Sequence, residues 1–141
     1  MVKYNYHRDH VLPENGEVFV FGSNLAAIHG AGAALVAAQS FGASRSVPVG
    51  YSRSASSEYS HSYAIPTKDD RIRTLPLDII KIHIQHFLHE ASRGPISNFN
   101  FFITRVGCGL AGYKDMQIAP LFRGATVNCI FPIEWKEYLQ I

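Results

Sequence analysis

The spacing of apolar and polar positions divides the chain into short strands and helices. Residues 17–22 (Glu-Val-Phe-Val-Phe-Gly) form a β-branched and aromatic run that reads as a buried strand. After a turn of small residues, 29–41 reads as an alanine-rich helix that Gly42 stops. A second short strand is expected at 46–49, and 62–66 reads as another that Pro66 ends. Between them, 50–62 holds six serines and two tyrosines with almost no aliphatics, which predicts a loop. The clearest helix is 76–91, where Ile80, Ile84, Phe87, Leu88 and Ala91 share one face, and Lys81, Gln85 and His89 fall elsewhere. Residues 98–106 carry the strongest strand, almost continuously apolar at Phe101, Phe102 and Ile103. A glycine-punctuated turn at 107–112, a short helix at 115–122, a strand at 127–131 and a helix at 133–139 with the lone Trp135 complete the chain. Strands that alternate with helices and are apolar on both faces predict an α/β fold, a three-layer α/β/α sandwich with a mixed, mostly parallel sheet. Such sheets bind ligands beyond the carboxyl ends of their strands, where both glycine-rich turns lie.

Composition narrows this further. A chain of 141 residues fits one domain spanning 1–141, large enough to fold without disulfides or a structural metal. Thirteen Lys and Arg against eleven Asp and Glu give a net charge of +2, too balanced for a disordered chain or a dedicated nucleic-acid binder. Cys108 and Cys129 lie far apart and form no metal or disulfide pattern. The polar N-terminus offers no secretory leader, and no apolar run approaches the roughly 20 residues needed to span a bilayer. The expectation is a soluble cytoplasmic protein with no membrane partner, no resident cofactor and no metal. A homo-oligomer stays open.

Two segments carry candidate chemistry. In Phe21-Gly22-Ser23-Asn24-Leu-Ala-Ala-Ile-His29-Gly30-Ala31-Gly32-Ala33-Ala34, a strand ends, an asparagine projects, and small residues open a helix. Unpaired N–H groups there favour phosphate. Close helix–sheet packing explains the small residues equally well, and neither the dinucleotide fingerprint nor a Walker loop is present. In Ile103-Thr-Arg-Val-Gly107-Cys108-Gly109-Leu110-Ala111-Gly112-Tyr113 a second strand leads into a glycine turn, and two such loops at neighbouring strand ends would grip a diphosphate.

Together these loops resemble the macrodomain family. Asn24 followed by Gly30-Ala31-Gly32-Ala33 resembles its N-A-A-N-x-x-L-x-G-G-G-G-V pattern. Gly107 to Gly112 is similar to the I-G-C-G-L-D-G loop of macrodomains that hydrolyse ADP-ribose-1″-phosphate or ADP-ribosyl-glutamate. The resemblance implies that Asn24 contacts the distal ribose of an ADP-ribose-type nucleotide. It implies that Gly30 to Ala33 and Gly107 to Gly112 bind the diphosphate through backbone amides, with Tyr113 near the rim; Gly22 and Ser23, beside Asn24, are further candidate ligand-binding residues. Three departures stand out. Glu14 and Glu17 are not in the family's adenine-reading context, Ala111 replaces the catalytic aspartate, and His29 and Ala31 interrupt the first glycine run.

His29 is the candidate to replace the missing aspartate as acid or base, against a packing role at the helix start. Residues 67–70 would edge the same cleft, where Lys68 would meet a phosphate or else belong to a solvated charged turn. Asp115 is expected to cap the following helix. His83, His86 and His89 drift around their helix and do not converge on a metal. Cys108 reads as a small buried residue, and the 50–62 loop either as a lid bringing Tyr51, Tyr59 or Arg53 over a nucleotide or, equally, as a segment disordered without ligand.

The resulting expectation is a protein that binds ADP-ribose or a NAD-derived relative, and, if an enzyme, hydrolyses a 1″-phosphate or ester-linked ADP-ribosyl conjugate with Asn24 and His29 in catalytic roles. The alternative is a non-catalytic binder that reads ADP-ribosylation or sequesters a cyclic ADP-ribose-type signal, as small phage-encoded sponges do, in which case the location is the host cytoplasm. A weaker third reading is single-stranded RNA stacked on Tyr51, Tyr59 and Arg53.

Overall fold

The computed structural model describes residues 3–8, 11–14, 16–44, 46–55, 57 and 60–140. Strands β1 (Asn5–His7), β2 (Val18–Asn24), β3 (Gly50–Arg53), β4 (His61–Lys68), β5 (Phe101–Ile103) and β6 (Cys129–Pro132) form one sheet in the order β1-β6-β5-β2-β4-β3. Only β3 runs antiparallel to its neighbour, so the fold is α/β with a mixed, mostly parallel sheet. Four α-helices accompany it: α1 (Gly32–Ser40), α2 (Leu77–Arg93), α3 (Asp115–Ile118) and α4 (Lys136–Leu139).

Side-chain alternation assigns the strands to two cores. Val18, Val20, Tyr63, Ile65, Phe101 and Ile103 pack with Ile80, Ile84, Phe87, Phe122 and Trp135 on one face. Phe19, Phe21, Ala64 and Phe102 turn to the other face and meet Ala37 of α1. Successive side chains of a strand point to opposite faces, so a strand covered on both sides must be apolar throughout. Each fully buried aliphatic of α2 contributes about 1.5–3 kcal/mol. No helix among the described residues is long and apolar enough to cross a membrane.

The structure departs from the sequence expectations at several points. No strand forms at 46–49. The strand is β3, inside the Ser-rich segment read as a loop, where backbone pairing to β4 suffices and Tyr51 alone of its side chains reaches the core. β4 continues through Pro66 to Lys68, because Pro66 stands where β2 shifts register between Ser23 and Asn24. A proline, which lacks an N–H, is tolerated at such an irregularity. Helix α1 starts at Gly32 rather than at His29, after an extended Ala31 (φ −156°) and with a left-handed Gly32 (φ 57°). β1 had no sequence signal of strong hydrophobicity. It pairs with β6, and Tyr4 and Tyr6 pack against the core. β5 is only Phe101–Ile103, shorter than the run around it, and β6 begins at Cys129.

Candidate functional site

The parallel strands all end on one edge of the sheet, and a cleft of about 840 Å³ runs along it. Small-molecule sites typically measure about 300–1,000 Å³. β1 contributes His7, β6 Pro132, β2 Gly22, Ser23 and Asn24, and β4 Thr67 and Lys68, while Thr104 follows β5. On the β1 side the lining is apolar: Phe19, Phe102, Val36, Val11 and Leu12. The His7 ring stacks on Phe102 with centroids 3.8 Å apart and planes 17° apart, and its Nε2 faces the Ile103 carbonyl. On the β4 side stand Asn24, Lys68, Ile28, Ile72 and Leu110.

Between these ends the two glycine loops line the same cleft. A Cβ added to Gly22 would lie 3.4 Å from the backbone N of Gly107 and from Thr67, an ordinary van der Waals contact, so strand and loop are closely packed here. Among the described residues, the N–H groups of Gly30, Ala31, Gly32 and Ala33 donate to no backbone carbonyl outside the regular helix and strand bonds. The same is true of Gly109, Leu110 and Ala111. The second loop is closed by Gly112 N–H to Gly109 O (3.0 Å), Tyr113 N–H to Gly107 O (2.9 Å) and the Thr74 hydroxyl to Ala111 O (3.1 Å). Successive N–H groups aimed into one concavity make an anion site. The charged side chains lining the cleft are Arg8, Lys68 and Arg105, and no carboxylate lines it among the described residues.

Gly22, Ser23, Asn24, Gly30 to Ala33, Lys68 and Gly107 to Ala111 all line this cleft; Gly112, Tyr113 and His29 do not. Asn24 spans its own turn, with Nδ2 donating to Ile28 O (2.8 Å) and Oδ1 accepting from Ile28 N–H (3.0 Å). His29 lies behind that turn, 8% exposed, edge-on to Phe21, with Nε2 against Ser44 O (3.0 Å) and a buried, unpartnered Nδ1. It packs rather than reaching the cleft. The Tyr113 hydroxyl donates to Leu75 O (2.6 Å), which anchors the end of the loop.

Asp115 is not the helix cap, a place taken by Lys114. Its carboxylate accepts two bonds from Arg105 (2.9 and 2.7 Å) and one from the Trp135 indole (2.8 Å). Burial pushes its pKa up, but the bonds from Arg105 and Trp135 outweigh this and hold it below the usual carboxylate range. The Tyr51 hydroxyl and the His61 Nδ1 are bonded (2.7 Å) at the opposite end of β4, and neither Tyr51 nor Arg53 lines the cleft. Tyr59 lies outside the described residues. Burial, then the charge of His86, lowers the pKa of His83, and no group of three metal-ligating side chains occurs among the described residues.

Burial, reinforced by the nearby Asp115 charge, pushes the Cys108 thiol up to about 12, and burial alone takes Cys129 to about 12. Cys108 is therefore a poor nucleophile despite its place in the loop. For Cys129 the unfolded thiol ionises first as pH rises. Above the ordinary thiol range the unfolded state then holds fewer protons than the native one, and stability falls. Urea midpoints measured from pH 8 to pH 11 are expected to decline, by at most about 1.4 kcal/mol per pH unit from this group. Cys129→Ala should remove its share of the slope.

His7, Arg8, Val11, Leu12, Ile72, Thr104 and Arg105 also line the cleft and were not singled out from sequence, whereas Thr67 belongs to the 67–70 segment expected to edge it. The period-2 pattern of Tyr4-Asn5-Tyr6-His7 carried a strand signal for His7. No protein-family model matches this chain, and no curated protein compared with it is similar enough to count as a relative.

Proposed function

We propose that the cleft binds ADP-ribose or a NAD-derived ADP-ribose nucleotide and holds it intact. The observation that carries this reading is the pair of glycine loops lining one cleft, with backbone N–H groups that have no carbonyl partner and only cationic charged side chains beside them among the described residues. Backbone amides and the α1 N-terminus suit a diphosphate. The apolar end, where Val11, Leu12 and Val36 line the cleft beside the His7–Phe102 stack, suits a nucleobase, and the Asn24 end suits the second ribose. The macrodomain resemblance of the two loops supports the same arrangement.

Hydrolysis has less support. Ala111 stands where the related loop has its aspartate, His29 is packed outside the cleft, and the Cys108 thiol stays protonated. A protein that reads ADP-ribosylation or sequesters an ADP-ribose-type signal needs no acid or base. Calorimetric titration with ADP-ribose should give saturable binding at one site per chain. Asn24→Ala removes both bonds across the 24–28 turn and should weaken binding about 10- to 100-fold, at a cost of about 2 kcal/mol in stability. Chromatography of ADP-ribose-1″-phosphate incubated with the protein should show no product. Turnover would restore the hydrolase, and absence of binding would remove the reading altogether.

A further inference from the structure

Among the described residues, only Ala27 (φ 54°) and Ile72 (φ 63°) hold a left-handed backbone without being glycine. For a β-branched residue such as Ile72 this is a costly conformation. Strain of this kind persists only where surrounding bonds over-determine it, and it clusters at ligand clamps. Both residues lie in loops on the β4 side of the cleft, and both loops are tightly tied. Ala27 N–H donates to Asn24 O (3.0 Å), and the Asn24 side chain brackets Ile28. Around Ile72, the Asp69 carboxylate accepts from Arg71 N–H (2.8 Å), Arg73 N–H (2.9 Å) and the Arg73 guanidinium (3.0 Å), while Ile72 N–H donates to Asp69 O (3.1 Å).

At Ile72 the strain does not serve the core. Ile72 is 41% exposed, and Ile28, next to the buried Ala27, is 46% exposed; both line the cleft on the same side as Leu110, which is 71% exposed. Thr74 ties the Ile72 turn to the Leu110 loop through Ala111 O, so the two segments are coupled. Large apolar side chains fixed in water at a cleft mouth gain only when something covers them.

We propose that Ile72 is a specificity-determining residue. Held left-handed by the Asp69–Arg73 turn, it packs with Ile28 on the apolar face of an uncharged, sugar-sized ring at the outer end of the ligand. This inference rests on the nucleotide reading above, which puts the second ribose at this end, and adds the residue that selects for it.

The test compares ADP-ribose with ADP, which carries the diphosphate but no outer ribose, on the full chain by calorimetry. The wild-type protein should prefer ADP-ribose by about ten-fold or more. Ile72→Asn accepts the left-handed backbone and removes the apolar contact. It should bring the preference toward parity while the Tm stays at or rises about 2 °C above wild type. Ile72→Val should keep the preference. A preference unchanged in Ile72→Asn would overturn the inference and leave the nucleotide reading standing. A Tm several degrees lower would overturn it as well, by showing that Ile72 serves the fold. If the wild-type protein binds neither nucleotide, the reading and the inference fall together.

Discussion

Gly109→Asp should abolish nucleotide binding while leaving the fold intact. Gly109 has no positive φ, and a Cβ added to it would meet nothing within 4 Å, so the backbone accepts a side chain there. Surface substitutions in such positions usually change stability by less than about 0.5 kcal/mol, and Tm should stay within about 2 °C. The new carboxylate would stand at the N–H groups assigned to the diphosphate. Two like charges about 4 Å apart near a protein surface repel by about 4 kcal/mol, a loss of about 10³-fold in affinity. Gly109→Ala, which adds no charge, should cost far less. Gly30→Asp should behave like Gly109→Asp from the other loop, since its Cβ would touch only the Ile28 side chain at 4.0 Å. Wild-type affinity in both aspartate variants would place the anionic part of the ligand elsewhere.

Gly42→Ala should have the opposite signature, a large loss of stability at a position remote from the cleft lining. Gly42 combines φ 72° with extreme crowding: an added Cβ would lie 2.3 Å from Ser54 N, 2.7 Å from Arg53 C and 2.8 Å from Ser54 Cα. These are backbone atoms where β3 ends, so relief requires moving an edge strand and the Ser54 N–H to Ser60 O bond (2.8 Å). The left-handed conformation alone costs a non-glycine about 1–2 kcal/mol, and overpacking adds about 1–3 kcal/mol. Against a total stability of about 5–15 kcal/mol, a fall in Tm of about 10 °C or more is expected in thermal melts. Gly124→Ala is the control. It shares the positive φ (94°) but meets no atom within 4 Å, so it should lose only the conformational part.

The contrast between Gly42 and Gly109 shows what the sequence could and could not reveal. Both stand as punctuation in the sequence, and only the packing around them separates a structural glycine from one that opens toward a ligand. The layered α/β class was legible because β2, β4 and β5 are apolar on alternate faces, and α2 repeats Ile80, Ile84 and Phe87 at helical spacing. Edge strands were not. β3 is polar because its backbone bonds hold it, and β1 with the residue before it half-buries two tyrosines, Tyr4 and Tyr6, without a hydrophobic run.

The site was legible to the extent that small residues after strands mark strand-end loops. His29 shows the limit: nothing in its spacing told whether its ring would enter the cleft or pack on Phe21. Asp115 was read locally, as a cap, because its partners Arg105 and Trp135 meet it only through the tertiary fold. Ile72 gave no signal, since left-handed backbone in a β-branched residue is the reverse of what propensity predicts.

The most direct test of the account is the backbone amide spectrum of the isotopically labelled protein during titration with ADP-ribose. The largest shifts should fall on the amides of Gly30 to Ala33 and Gly109 to Ala111, with smaller ones at Thr104 and Lys68. Residues at the far end of β4, such as His61 and its partner Tyr51, should not move. Saturable shifts confined to the two glycine loops and the cleft around them would establish the diphosphate cradle. Shifts centred elsewhere, or none at ligand concentrations that saturate the calorimetric titration, would contradict it.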